Sequence, residues 1–176
     1  MKVSAKREVY KSKIFTVAEE VAKDSTGFVI ERAIVRHAGS AVMMAVDGRN
    51  RVLLVKQFRL PAEKDLWEIP AGRLDPDENP LAAAKRELAE ETGYSAKKWK
   101  KVAAWWPSPG FLSEKMHLFL ATDLTAGKAK PMEDERIEVR WFKKKELDKL
   151  IRNGEIEDGK TLIAFLLWRR YKPNKG

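Results

Sequence analysis

Arg86, Glu87, Glu90 and Glu91 crowd into a stretch that reads as one helix. Asn79 is a good N-cap, and Pro80 fits the first helical position, where its missing N–H is no loss. Leu81, Ala84, Leu88 and Thr92 form a stripe at helical spacing, and Gly93 stands where a left-handed C-cap ends a helix. The helix is therefore predicted over about residues 80–92. Residues three and four apart share a helical face, so Glu87 projects beside Glu90 and Glu91. Like charges at that spacing destabilise a helix by roughly 0.2–0.5 kcal/mol per pair. The helix dipole adds to the penalty, because anions sit near the C-terminal end. A bound divalent cation would remove it, and an all-oxygen ligand set selects Mg²⁺ or Mn²⁺ over zinc. The plain alternative is a solvated charged face with Arg86 paired to Glu90.

The flanking residues decide between the two. The full string is Gly72-x5-Glu78-x7-Arg86-Glu87-Leu88-x-Glu90-Glu91-x-Gly93-Tyr94. It resembles the Nudix box, the signature of the Nudix hydrolases, at every fixed position. Tyr94, where an aliphatic residue is more usual, is the one soft departure. The surrounding segments are similar to the family over roughly residues 28–172. The resemblance implies an α/β (α+β) Nudix fold: a mixed β-sheet sandwich with flanking helices, carrying the box as loop–helix–loop. It also implies cleavage of a nucleoside diphosphate linked to another moiety, at the pyrophosphate. Carried over by position, Glu87 and Glu91 become the main metal ligands, with Glu90 supporting and the Ala71 carbonyl adding another. Arg86 would orient the glutamates, and Glu78 would be mostly structural. The chemistry agrees, since divalent cations neutralise the phosphates and activate water for attack.

Residues outside the box bear on the substrate. Trp106-Pro107-Ser108-Pro109-Gly110-Phe111, followed by Ser113-Glu114, resembles the loop of the ADP-ribose pyrophosphatase branch, whose proline stands sixteen positions beyond the last box glycine, as Pro109 does here. Gln57-Phe58-Arg59 leading to Trp67-Glu68-Ile69-Pro70-Ala71-Gly72 is a second similar string. The branch implies that Arg59 contacts the phosphates or terminal ribose, and that Gly110, Phe111 and Glu114 line the substrate loop. Its catalytic glutamate sits in a mobile loop, which here is Glu133-Asp134-Glu135; Glu133 and Glu135 both remain candidates for the general base. Loop placement allows closure to bring a carboxylate to water only when substrate is bound. The branch also draws adenine contacts from an N-terminal strand region, often of a second subunit. Phe28, Glu31 and Arg32 lie in that stretch, although Phe28 also fits a core position, the reading slightly preferred. Trp67, Trp105, Trp141 and Trp168 read as packing, while Trp106 is placed to line a pocket. His37 and His117, the only histidines, read as strand or surface residues rather than as bases.

The elements that must position these groups follow from periodicity. Residues 8–36 read as short strands, with alternation around Tyr10 to Val21 and again from Phe28 to Val35. Ala41 to Val46 and Val52 to Phe58 flank Asp47-Gly48, a hairpin signal. Leu66 to Ile69 is a brief strand before Pro70. Strands are predicted at Trp99 to Trp106, Met116 to Thr122 and Ile137 to Phe142, and amphipathic helices at about 143–153 and 160–171. A soft boundary near Arg36 to Ser40 divides a strand-rich extension, 1–38, expected to form a homodimer, from a hydrolase domain, 39–176.

The 176 residues are enough for one domain with a small appendage. The absence of cysteine excludes disulfides, zinc–thiolate sites and Cys nucleophiles. No apolar run is long enough to cross a membrane, and the N-terminus lacks a signal-peptide core, so a soluble, cytoplasmic protein is expected. The 35 Lys and Arg against 26 Asp and Glu give a net charge of +9, which favours anionic partners. Two rivals to ADP-ribose follow: GDP-mannose or another nucleotide sugar, and RNA binding with or without hydrolysis of its 5′ end. The basic clusters, such as Lys97 to Lys101 and Lys143 to Lys145, interleave with acids or lie at helix ends, so nucleic acid is the weaker reading.

Overall fold

The computed structural model describes residues 1–129 and 136–170. Its first three strands, β1 (Lys2–Lys11), β2 (Phe15–Lys23) and β3 (Val29–His37), form an antiparallel sheet. The alternation from Tyr10 to Val21 is not one strand, because Ser12 closes a turn between two: its Oγ accepts the N–H of Ile14 and Phe15 at 3.1 and 3.0 Å. The first part of β1, residues 2–7, escapes prediction because it is exposed throughout and carries no apolar alternation.

The remaining strands are β4 (Ser40–Ala45), β5 (Arg51–Arg59), β6 (Lys64–Glu68), β7 (Ala71–Arg73), β8 (Tyr94–Trp105), β9 (Met116–Ala126) and β10 (Glu138–Lys143). They build an antiparallel sheet in the order β10-β5-β6 and a mixed sheet in the order β7-β4-β9-β8, in which β4 and β9 are parallel. Among the described residues three α-helices complete the fold: α1 (Pro80–Thr92), α2 (Lys144–Arg152) and α3 (Gly159–Arg170). The expected α/β sandwich with flanking helices is what these elements make. No helix among the described residues is long and apolar enough to cross a membrane.

One expectation needs correction. The Asp47-Gly48 turn forms, with the Asp47 carboxylate accepting the N–H of Arg49 and Arg51 at 3.0 and 2.8 Å. Yet β4 and β5 do not make a hairpin: past a single Val46–Val52 bridge they enter different sheets. The reason is burial. Every residue of β4 is buried, and so are Val52 to Val55 of β5; strands buried on both faces need two neighbours each, and a turn fixes a reversal rather than a partner.

Two core clusters result. One packs Leu147 of α2 and Ala164, Phe165 and Trp168 of α3 against Val42, Leu54, Leu118 and Phe142. The other packs Ala83, Ala84 and Leu88 of α1 against Ala41, Met43, Leu53 and Phe119. Trp67 and Trp105 lie against the first cluster and Trp141 against the second, while Trp168 is inside the first. The α1 caps are as the sequence requires: Asn79 Oδ1 accepts the Leu81 N–H at 2.9 Å, and Gly93 adopts φ +74°. Leu88 is fully buried on the face of α1 that packs into the core. Leu88→Ala should therefore destabilise the fold by about 2–5 kcal/mol, measured by urea unfolding.

Candidate active site

Helix α1 and the turn before it bring the box together. Arg86 is the hub. Its Nε and Nη2 donate to the two oxygens of Glu78 at 3.1 and 2.9 Å, and its Nη1 donates to Glu87 at 2.6 Å and Glu90 at 3.1 Å. Nη2 also reaches the Arg73 carbonyl at 3.2 Å, which ties the helix to β7. Glu78 caps its own turn by accepting the Asp75 N–H at 3.0 Å. The Arg86 hydrogen bonds hold the Glu78 carboxyl below the usual carboxylate range, and Glu78 in turn leads the carboxylates that raise Arg86.

Gly72 explains itself here, since a Cβ at that position would overlap the Glu87 carboxylate. Strand β7 thus lies flush against the acidic face of α1, with Ala71 next in the chain. Glu91 is 4% exposed and its Oε2 is buried and in no hydrogen bond, while the carboxylate's charge is felt by Arg59. Among the described residues no group of three carboxylates or imidazoles converges on a common point; Glu87 and Glu90 share Arg86 instead. The oxygen-only donor set, the flush approach at Gly72 and the buried Glu91 oxygen fit a hard divalent cation held between α1 and β7.

Arg59 ends β5 and feels the Glu91 charge. It meets Glu68 edge to edge, Nε to Oε1 at 2.8 Å and Nη2 to Oε2 at 2.7 Å. Lys160 of α3 pairs with the same Glu68. Burial pushes the Glu68 carboxyl up, but the two cations outweigh it and hold it below the usual range. The sequence string around Glu68 did not mark its role. The available signal was a lone carboxylate between Trp67 and Ile69 in a short apolar strand. Lys160 and its neighbour Asp158 gave no signal at all.

A cavity of about 520 Å³ opens over the N-terminal sheet, lined by Ile30, Arg32 and Ile34 of β3 and by Trp106, Pro109 and Phe111 of the β8–β9 loop. The loop is stitched to β3: the Val35 N–H donates to the Phe111 carbonyl at 2.7 Å, and the Ser113 N–H to the Val35 carbonyl at 2.9 Å. Ser113 Oγ accepts the His37 N–H at 2.9 Å. Arg32, Trp106 and Phe111 are thus brought together. Gly110 lies at the open tip of the loop. Two placements differ from expectation. Glu114 does not line the cavity: it accepts from Ser40 Oγ at 2.5 Å and lies 3.8 Å from His37 Nδ1, so it fixes the loop base. Phe28 is not core but 59% exposed, and it also stands outside the cavity, because its segment is a turn held by Asp24 Oδ1. Glu133 and Glu135 lie outside the described residues. His117 is a strand residue on β9, its imidazole held below its usual pKa by burial and then by Lys101 and Lys115.

Several carboxylates here contribute to stability in their charged form. Glu20, Glu68 and Glu78 all sit below the usual 4.5, through Arg36, Arg59 with Lys160, and Arg86 respectively. Their contribution is present above the unfolded value and lost as pH falls through the lower folded values. The melting temperature should therefore fall steeply below about pH 4, as read by circular dichroism.

The comparisons agree with this geometry. The NUDIX domain model matches residues 35–165. An ADP-ribose pyrophosphatase of Bacillus subtilis is 39% identical over 165 residues, covering 93% of this chain and 89% of the relative. A GDP-mannose pyrophosphatase of Salmonella typhimurium is 34% identical over 137 residues, 73% of this chain and 71% of the relative. A solved structure described as an ADP compounds hydrolase superposes with a TM-score of 0.80 at 22% identity, covering 96% of this chain and 92% of that one, which shows the shared fold. With its acidic helix cradled by Gly72 and hubbed on Arg86, the chain belongs to the Nudix family of hydrolases.

Proposed function

We propose that the protein hydrolyses ADP-ribose to AMP and ribose 5-phosphate. The observation that carries the adenosine half is the cavity between β3 and the Trp106–Phe111 loop, where Trp106, Phe111 and Arg32 line a space of about 520 Å³. Aromatic and guanidinium planes are the groups that stack on a base. The name carried by the Bacillus subtilis relative supports the same reading.

The division of labour follows from the site. Glu87, Glu91 and the Ala71 carbonyl would hold Mg²⁺ or Mn²⁺, with Glu90 assisting. When bound, such a cation neutralises diphosphate charge and makes a coordinated water more acidic. Arg86 would keep Glu87 and Glu90 oriented, a role supported by its hydrogen bonds to both. Arg59 binds the diphosphate through the edge of its guanidinium not given to Glu68. Water adds to one phosphorus, a P–O bond of the bridge breaks, and Glu133 or Glu135 takes the proton. Trp106, Phe111 and Arg32 hold the base, while Gly110 lets the loop tip approach it.

The Salmonella relative's name makes GDP-mannose the second reading. RNA is disfavoured by pairing within the basic surface: Lys98 meets Asp123 at 2.8 Å, and Arg169 meets Asp148 at 3.0 Å. Action in the cytoplasm fits a chain without cysteine. Residues 1–38 would form a homodimer, a reading supported by the exposure of Val3, Val9, Tyr10, Phe28 and Val29. In that assembly Phe28 would meet the other copy and reach the base from there.

Mg²⁺-dependent hydrolysis of ADP-ribose, run beside GDP-mannose, NADH and a 5′-triphosphate RNA, should show ADP-ribose as best substrate with AMP as product. A clear preference for GDP-mannose or RNA overturns the substrate. Glu91→Gln should keep the fold while lowering turnover by orders of magnitude; unchanged turnover sinks the metal assignment. Sedimentation should give a dimer, and a monomer removes the role given to residues 1–38.

A further inference from the structure

Four charged side chains run from the start of α3 to Arg59 in alternating sign. Asp158 stands at the start of α3, where its Oδ2 accepts from the Thr161 N–H at 2.9 Å and the Thr161 hydroxyl at 2.5 Å. Its Oδ1 accepts from Lys160 Nζ at 3.0 Å. Lys160, with a side chain only 9% exposed, also donates to Glu68, whose side chain is 2% exposed. Glu68 in turn holds the Nε–Nη2 edge of Arg59, which is 39% exposed. The order is therefore anion, cation, anion, cation, with the last cation the most open to solvent.

An isolated Glu68–Arg59 pair would present an incoming anion with little net charge, because the carboxylate would balance the guanidinium. Lys160 alters this by supplying a second cation to the same buried carboxylate. Interactions among these groups are only weakly screened, since three of the four are largely withdrawn from water. Asp158 draws Lys160 the other way and so moderates the effect. Without Lys160, two carboxylates would face one guanidinium, and Arg59 would be drawn to Glu68 with its charge cancelled. The same turn of α3 also fixes the backbone beside the site: Thr161 Oγ1 accepts the Ile69 N–H at 2.8 Å, two residues before Ala71.

We propose that Lys160 is a positioning residue for substrate: by neutralising Glu68 from the α3 side, it leaves the positive charge of Arg59 directed at the diphosphate. This rests on the diphosphate-binding role given to Arg59 above. It assigns Lys160 no contact with substrate, and it gives Asp158 the opposite sign of effect.

The opposite signs make the test. Lys160→Met should raise KM for ADP-ribose tenfold or more while kcat changes less than threefold. Asp158→Asn keeps a helix-capping side chain and frees Lys160 for Glu68, so it should lower KM at least twofold. In an Arg59→Ala background, Lys160→Met should shift KM less than twofold further. A structural role alone would weaken both single variants in the same direction and depress kcat with the folded fraction. A raised KM in Asp158→Asn overturns the proposal, as does a Lys160→Met effect confined to kcat or fully retained without Arg59. If the wild type hydrolyses no nucleoside diphosphate sugar, the substrate reading fails on its own. The same sign rule is then read from calorimetric affinities for magnesium pyrophosphate, where equal affinities in all variants overturn the charge chain. Should Lys160→Met not fold, Asp158→Asn still decides by the direction of its shift.

Discussion

Arg86 is the interaction on which the acidic face depends. Three carboxylates and a backbone carbonyl meet one guanidinium, and the five N–H donors of that group are what make it possible. A lysine would offer a point charge without the fork that reaches Glu78 on one edge and Glu87 with Glu90 on the other. Removing the guanidinium would leave Glu87 and Glu90 as adjacent like charges on one helix face, and would cut the link between α1 and the Arg73 carbonyl of β7. The closeness of that link is set by Gly72, where no side chain intervenes between strand and helix. Chemistry and packing thus converge on the same few ångströms.

A second arrangement mirrors the first between β5, β6 and α3. There the shared group is a carboxylate, Glu68, and its partners are the cations Arg59 and Lys160. Each hub is met by partners of the opposite sign. Charged groups paired in this way can sit half-buried at tolerable desolvation cost, because each keeps its hydrogen-bonding partners.

The legible parts of this molecule were those decided locally. Helix α1 could be bounded from sequence because Asn79, Pro80 and Gly93 act on their own backbone within one turn. Likewise the box spacing places Arg86 and its acids on one face without reference to the rest of the chain. The illegible parts depend on distant partners. Glu68 and Lys160 are 92 residues apart, and only the docking of α3 on β6 makes them neighbours. The separate fates of β4 and β5 have the same origin, since a turn cannot say which sheet each strand enters. The first part of β1, residues 2–7, was illegible for another reason: with no buried face, it carries no pattern to read. Phe28 was misjudged because an apolar side chain beside a strand usually turns inward, whereas Asp24 organises a turn that carries it out.

The stitching of the β8–β9 loop to β3 limits how such a site can be remodelled. Residues Phe111 and Ser113 straddle Val35 with a ladder-like pattern, and Leu112 forms a parallel bridge to it. Side chains along such a ladder alternate between faces, so one residue inserted between Phe111 and Ser113 would turn every following side chain to the opposite face until Ser40 and His37 lost their partners Glu114 and Ser113. Insertions before Ser108 meet no such ladder. Length variation in this loop is therefore confined to its Trp106–Pro107 end, and diversification of the pocket must proceed there by addition, but along Phe111–Glu114 by substitution alone.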